Sequence, residues 1–263
     1  MNPWAVDAGC APRCAAHPVP RVPAVRALGR CAALARTLAG GLAEGERIGD
    51  PVHLRARARG VLDALGIRLE TGPEPLSLPN PHGAGTLVVA NHISWLDVIA
   101  LLAVEPVTPL AKREVGGWPV VGTLARRMGT RFIDREGFRQ LPEVVAELSE
   151  VLRSGQSVTV FPQATTWCTP TGGRFRRAVF QAAIDAGAPV RPVTVDYRQE
   201  GLPTAVAAFL GDEGFATSLR RVAAARGLTV RVAVHPPLRG TDRRELAAEA
   251  RASVCGTRLP VHA

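Results

Sequence analysis

The sequence predicts an α/β fold: a single domain with a mostly parallel central sheet flanked by helices, preceded by an N-terminal helical pair. Three observations carry that expectation. Short runs of branched apolar residues, such as Leu87–Ala90, Ser157–Phe161 and Val190–Val195, alternate with longer stretches of helical period. Several of those stretches carry their own punctuation, with Asp50-Pro51 opening one and Gly129 and Gly187 closing two others. A chain of 263 residues with 46% apolar content is also long enough to bury one large core.

Taken in order, residues 1–23 carry prolines at 3, 12, 18, 20 and 23 and read as an irregular tail. Residues 24–66 read as the helical pair. Its first helix spaces Val25, Leu28, Cys31, Leu34, Ala35 and Leu38 at helical period, with Arg26, Arg30 and Arg36 on other faces. Such a basic amphipathic helix suits packing on the domain or lying on an anionic bilayer. Asp50 as N-cap and Pro51 at the first position open the second helix, which runs to Leu65.

Residues 67–263 read as the main domain. A short strand over Gly66–Glu70 is followed by a loop rich in proline and glycine, Thr71–Gly85. Pro119 starts a helix that Gly129 ends, and the strand Thr130–Ile133 then delivers Asp134 and Arg135 at its C-terminal end, where open α/β sheets bind ligands. A helix over Gly137–Arg153 and another over Phe180–Ala186 flank the Ser157–Phe161 strand. Pro192 inside a strand suggests an edge or a bulge. A helix near Phe215–Arg226, a strand Leu228–Val234 and a helix Asp242–Val254 complete the domain, with His235 as a loop residue.

Net charge is +9 with a pI near 10.7, and all but one of the 32 basic residues are arginine. That balance selects anionic partners. Aromatics are only 5%, with one tyrosine, and no zinc-finger or RNA-binding signature is present, so no nucleic-acid partner is expected. Lipid phosphates and anionic headgroups fit arginine's planar fork better. Five cysteines, odd in number and without framework spacing, point to reduced thiols in a cytosolic setting. Cys10, Cys14 and His17 lack a second close pair, and no metal site is expected. No apolar run reaches the ~18 residues a spanning helix needs, and no signal-peptide core is present. Membrane contact is therefore expected to be peripheral, from the cytoplasmic side, on the inner face of the cell membrane.

The chemistry concentrates at Leu87–Leu102. The buried strand stops at Asn91-His92, and Ser94 has the position of a helix N-cap with Asp97 three residues on. On one ideal helix, residues five apart point about 140° away from each other. With His92 ahead of the cap and Asp97 in the first turn, the imidazole can fold back onto the carboxylate. Asp97 would then fix one ring N–H and leave the other nitrogen free to deprotonate a hydroxyl. Spacing alone is weak, since chance supplies roughly 0.2 such His-x4-Asp pairs in a chain of this composition. A capping acid beside a turn histidine is the plainer alternative.

Asn91-His92-Ile93-Ser94-Trp95-Leu96-Asp97 resembles the NHxSxxD block of the glycerolipid acyltransferases, the family of 1-acylglycerol-3-phosphate O-acyltransferase. Further blocks follow in the family's order: Gly129–Arg135, Val160–Thr166 and Val190–Val193, so that the resemblance spans about Leu87 to Tyr197. It implies a glycerol-3-phosphate acyltransferase-like fold and acyl transfer from acyl-CoA or acyl carrier protein to a lyso-lipid hydroxyl, most simply 1-acylglycerol-3-phosphate, with His92 as base and no cofactor. Residues implied at the substrate are Asn91, Ser94, the lone lysine Lys112, Arg131, Arg135, Gln163, Thr165 and Thr166. Where relatives read Phe-Pro-Glu-Gly-Thr-Arg or Phe-Pro-Glu-Gly-Thr-Thr, this chain has Phe-Pro-Gln163-Ala164-Thr165-Thr166. Glutamine exchanges an ionised acceptor for an amide, alanine discourages φ > 0, and Thr166 removes a phosphate-binding fork. Arg174, in the basic loop Thr171–Arg177, is a candidate replacement cation. The departures open two other readings: transfer to a different lyso-lipid such as lyso-ornithine lipid, and a catalytically impaired lipid- or membrane-binding relative.

Overall fold

Among the described residues, eight strands make one sheet in the order β1-β8-β6-β2-β5-β3-β4, with β7 hairpinned onto β6. In chain order the elements are α1 (Ala24–Ala43), α2 (Pro51–Leu65), β1 (Arg68–Thr71), β2 (Leu87–Ala90), α3 (Leu96–Val104), β3 (Thr108–Lys112), α4 (Val121–Arg127), β4 (Arg131–Ile133), α5 (Leu141–Arg153), β5 (Val158–Val160), α6 (Ala178–Ala186), β6 (Val190–Gln199), β7 (Leu202–Pro203), α7 (Phe215–Ala224), β8 (Leu228–Val234) and α8 (Arg243–Cys255). The structure is a computed structural model. It describes residues 6, 8–16, 19–80, 83–112, 116–117, 120–133 and 141–256, with only the backbone of Lys112 and Ile133.

Alternation along each strand splits the core into two layers. Val88, Ala90, Val193, Val195 and Tyr197 face the side covered by α1, α2, α3 and α7. Leu87, Val89, Val158, Val160 and Val190 face α5, α6 and α8. Because the central strands are covered on both faces, they read as unbroken apolar runs rather than alternating ones. Helix α3 lies deepest, with Leu96, Asp97, Ala100, Leu101, Leu102, Ala103 and Val104 all buried. Truncating Leu101 there to alanine costs about 2–5 kcal/mol. Arg55 and Arg59 of α2 donate to Ala103 O at its C-terminal end, where the helix dipole is negative.

Three expectations are narrowed or changed. Pro192 is not at an edge, since β6 is a central strand, parallel to β2 and antiparallel to β8; it lies at a bulge, because the two residues between Val190 and Val193 oppose three between Val234 and Leu238. The main-chain groups of Val190 and Pro192 face the segment beyond β8. There Val190 exchanges two hydrogen bonds with Leu238 and Pro192 O accepts from His235 N at 3.0 Å. The missing N–H of Pro192 thus falls opposite Pro236-Pro237, where regular pairing has ended, and costs no ladder bond. Second, β6 runs past Val195 to Gln199, because its pairing with β8 continues beyond the end of β2.

The tail, finally, is partly ordered. Pro12–Ala15 forms a 3-10 turn, Val22 N donates to Ala224 O, Arg226 N donates to Pro20 O, and the Cys10 sulfur lies 3.4 Å from that of Cys168. Val22 and Ala15 are buried, so apolar contact holds a stretch whose prolines forbid helix. Asp134, Arg135, Trp118, Pro119 and His17 lie outside the described residues.

Candidate active site

β2 ends where its neighbour β6 continues, and the turn leaving it is held by side chains acting as main chain. Asn91 Nδ2 donates to Val195 O and its Oδ1 accepts from Val195 N, both at 2.8 Å. The amide thus supplies the two ladder bonds that one more residue of β2 would have made with β6. This frees the backbone at His92 to turn away. His92 N donates to Gln163 Oε1 at 2.6 Å and His92 O accepts from Trp167 N at 2.8 Å. The imidazole stacks on Phe161, with centroids 4.1 Å apart and planes 19° apart.

Asp97 closes the turn. Its Oδ2 accepts from His92 Nδ1 at 2.8 Å, Ile93 N at 2.6 Å and Ser94 N at 2.9 Å, while Oδ1 accepts from the Tyr197 hydroxyl at 2.6 Å. Four donors replace the water lost by a carboxylate that is 0% exposed. The expected cap is present in altered form: the helix starts at Leu96, Ser94 Oγ accepts from Leu96 N at 3.3 Å, and Asp97 reaches back to the Ser94 amide. The His92 side chain keeps 19% exposure. An acceptor-only carboxylate on Nδ1 makes that nitrogen the N–H and leaves Nε2 to exchange a proton.

A second turn faces the first. After β5, Phe161–Thr166 is tied in by Gln163, whose Nε2 donates to Gly172 O, and by Arg176 N, which donates to Pro162 O at 2.8 Å. Ala164 holds φ +63°, the left-handed conformation that glycine adopts freely and alanine does not. Thr166 Oγ1 donates to Phe209 O, and Phe209 N donates to Ile93 O at 2.9 Å, so one residue's backbone links both turns. The Trp167 indole lies over Gly172 and Gly173, where added Cβ atoms would come within 2.3 and 2.6 Å of its ring.

Of the residues expected here, His92 and Asp97 are brought into contact. Asn91, Ser94 and Gln163, expected at the substrate, are instead 0%, 0% and 1% exposed, with their polar atoms engaged in building the two turns. Thr165 and Thr166 are half-buried. Arg131 and Arg174 are exposed, and Arg131 on β4 stands three strands from β2, about 14 Å at the usual strand spacing. Lys112 ends β3, two strands away, at the same sheet edge as His92. Arg135 lies outside the described residues. No sequence motif singles out Tyr197, although it is the only tyrosine and its odd-numbered position along β6 assigns it to the face of Val193 and Val195. Burial, followed by the Asp97 charge, pushes its phenol well above the usual range.

A family profile described as Acyltransferase matches residues 71–196. A 1-acyl-sn-glycerol-3-phosphate acyltransferase of Neisseria meningitidis serogroup B is 42% identical over 175 residues, covering 66% of this chain and 67% of that protein. A lyso-ornithine lipid O-acyltransferase of Pseudomonas aeruginosa is 37% identical over 170 residues, covering 64% of this chain and 66% of that one. In fold, the crystal structure of the 1-acyl-sn-glycerophosphate acyltransferase of Thermotoga maritima superposes with a TM-score of 0.54 at 18% identity, covering 86% of this chain and 95% of that chain. A part-exposed histidine on a buried aspartate at the C-terminal end of a central strand, the profile match across it and relatives of this similarity converge: the chain belongs to the acyltransferase family.

Proposed function

We propose that the chain transfers a fatty acyl group from a thioester, acyl-CoA or acyl carrier protein, to the free hydroxyl of a lyso-lipid, with 1-acylglycerol-3-phosphate as acceptor and phosphatidic acid as product. The contact of His92 with buried Asp97 carries this reading. His92 Nε2 takes the hydroxyl proton as the oxygen attacks the thioester carbonyl. The tetrahedral intermediate collapses with loss of thiolate, and the imidazolium returns the proton to the departing sulfur. No acyl-enzyme and no metal enter the sequence. Lys112, Arg131, Arg135 and Arg174 are the cations we assign to the headgroup phosphate or the developing oxyanion. Strands β3 and β4 run parallel to β2, so their C-terminal residues, Lys112 and Ile133, lie at the same end of the sheet as His92.

Among the described residues no helix is long and apolar enough to cross a membrane. The N-terminal helix exposes Val25 (77%) and Leu28 (70%) next to Arg26, a surface suited to an anionic bilayer. We therefore place the enzyme peripherally on the inner face of the cell membrane. A second acceptor class, a phosphate-free lyso-ornithine lipid, is favoured by one observation: Thr166, where relatives can carry arginine, donates its hydroxyl to Phe209 O.

The test is thiol release from acyl-CoA by the purified protein. We expect release only when a lyso-lipid is added, and a loss of about 10²–10⁴-fold in His92→Ala. Undiminished turnover in that variant removes His92 from the role. A panel of acceptors with one donor separates lysophosphatidate from lyso-ornithine lipid, and vesicle binding without thioester cleavage would mark a catalytically impaired lipid binder.

A further inference from the structure

Asp97 has two oxygens, and acyl transfer as written above uses only the one that meets His92. A lone carboxylate turns freely about its last torsion, which is broad and roughly two-fold. Three donors from the β2–α3 turn gather at Oδ2 and restrain that rotation from one oxygen only. The Tyr197 hydroxyl, arriving from the opposite side on β6, holds Oδ1 at 2.6 Å.

We propose that Tyr197 is a positioning residue for the acyl transfer: its hydroxyl locks the plane of Asp97, and through Asp97 the tilt at which the His92 ring presents Nε2 to the acceptor hydroxyl. The proposal rests on His92 acting as the base. Its placement follows from β6 overshooting β2. Asn91 takes Val195 as its partner, and two residues further along the same face bring Tyr197 over the first turn of α3.

Tyr197 is 2% exposed and has no route to the substrate except through Asp97. The titratable or charged groups facing it among the described residues are Asp97 and, behind that, His92; the remaining polar neighbour is the Ser94 hydroxyl, which faces the phenol oxygen. Phe161 and Gln163, on the far side of the imidazole, are neutral. Burial and the adjacent carboxylate hold the phenol in its protonated, donating form far into the alkaline range.

Tyr197→Phe removes one oxygen and keeps the ring. With acyl-CoA and lysophosphatidate we expect kcat to fall roughly 10-fold or more while KM changes little, since neither substrate touches the phenol. The acid limb of kcat/KM should move upward by about half a unit to one unit, because a carboxylate short of one donor holds a proton, or an imidazolium, more readily. A merely structural role for the ring would leave that limb in place. The wild-type protein offers an independent reading, since Tyr197 is the only tyrosine and the near-ultraviolet tyrosinate band is its alone. The band should stay absent at about pH 10, where a free phenol is half ionised, and appear only as the protein unfolds. Unchanged kcat and acid limb in the Phe variant, or a tyrosinate formed near pH 10 in folded protein, overturns the proposal. If the Phe variant does not fold, the ultraviolet titration decides. If wild-type protein releases no thiol with any lyso-lipid, the acyl-transfer reading fails, and the titration still reports separately on the phenol–carboxylate bond.

Discussion

The turn after β2 and the turn after β5 face each other across the His92 ring, yet they are built differently. In the first, each partner is a good one: the carboxylate has four donors and the Asn91 amide reproduces two ladder bonds. In the second, alanine sits in a left-handed conformation, two glycines are pressed beneath an indole, and Trp167 Nε1 is buried with no hydrogen-bond partner among the described residues. The contrast separates two jobs. In the acyl transfer proposed above, one turn sets the geometry of proton transfer and tolerates no slack. The other closes a wall around it, and its departures from the family pattern are strains that the surrounding packing absorbs.

Changes in the first turn should therefore cost rate, and changes in the second should cost stability. The largest expected effect belongs to Asp97→Asn, which puts an amide where Oδ2 accepts three hydrogen bonds and frees the ring to take the wrong tautomer. We expect a loss of about 10²–10⁴-fold in kcat, measured by thiol release, at nearly unchanged KM. A loss under tenfold would erase the distinction between the turns. Gln163→Glu comes next. It keeps an acceptor for His92 N but turns an oxygen toward Gly172 O in place of a donor. Destabilisation of about 1–3 kcal/mol in urea melts is expected, with a smaller rate loss than in Asp97→Asn. A rate loss without a stability loss would assign Gln163 to the chemistry instead.

Ala164→Gly should do the reverse of harm. Relief of the strained φ outweighs glycine's greater freedom in the unfolded chain, for a net gain of about 0.5–1 kcal/mol and a small rise in Tm. The smallest effect is expected at a histidine outside both turns. His235 Nε2 meets the Thr194 hydroxyl at 2.7 Å, and burial pushes its imidazole below the ordinary value of 6.5. A lowered folded-state pKa means that the unfolded chain binds the extra proton first, so stability present above 6.5 declines as pH falls below it. His235→Gln should flatten that decline in urea midpoints compared between neutral and mildly acidic buffer, with turnover unaffected.

Much of the fold was legible because strand and helix periods were strong and their end signals local. Asp50, Gly129 and Gly187 sit at element ends as their chemistry requires. The contact of His92 with Asp97 was legible too, since a turn between strand and helix is the one local geometry that lets residues five apart meet. What escaped depended on long-range pairing. Pro192 left an edge and a bulge equally open, because nothing local announces the extra residue in the partner segment that makes it a bulge. Asn91, Ser94 and Gln163 looked like substrate contacts because a motif gives residue types and not the direction in which their polar atoms are used up. Tyr197, a hundred residues from Asp97, needed the register of β6.

That register has a consequence for how the sequence can change. β6 is hydrogen-bonded to a parallel neighbour, β2, on one side and to an antiparallel one, β8, on the other, and its register is fixed from both sides. Insertion or loss of a single residue between Pro192 and Val195 would swing the phenol from one layer of the molecule to the other, and a shift by two would return it to its layer but about 7 Å out of reach. Lengthening is therefore free to occur in the connections that enter and leave β6 but not along the strand itself, and lineages that diversify their acceptor should keep the interval between those two positions constant.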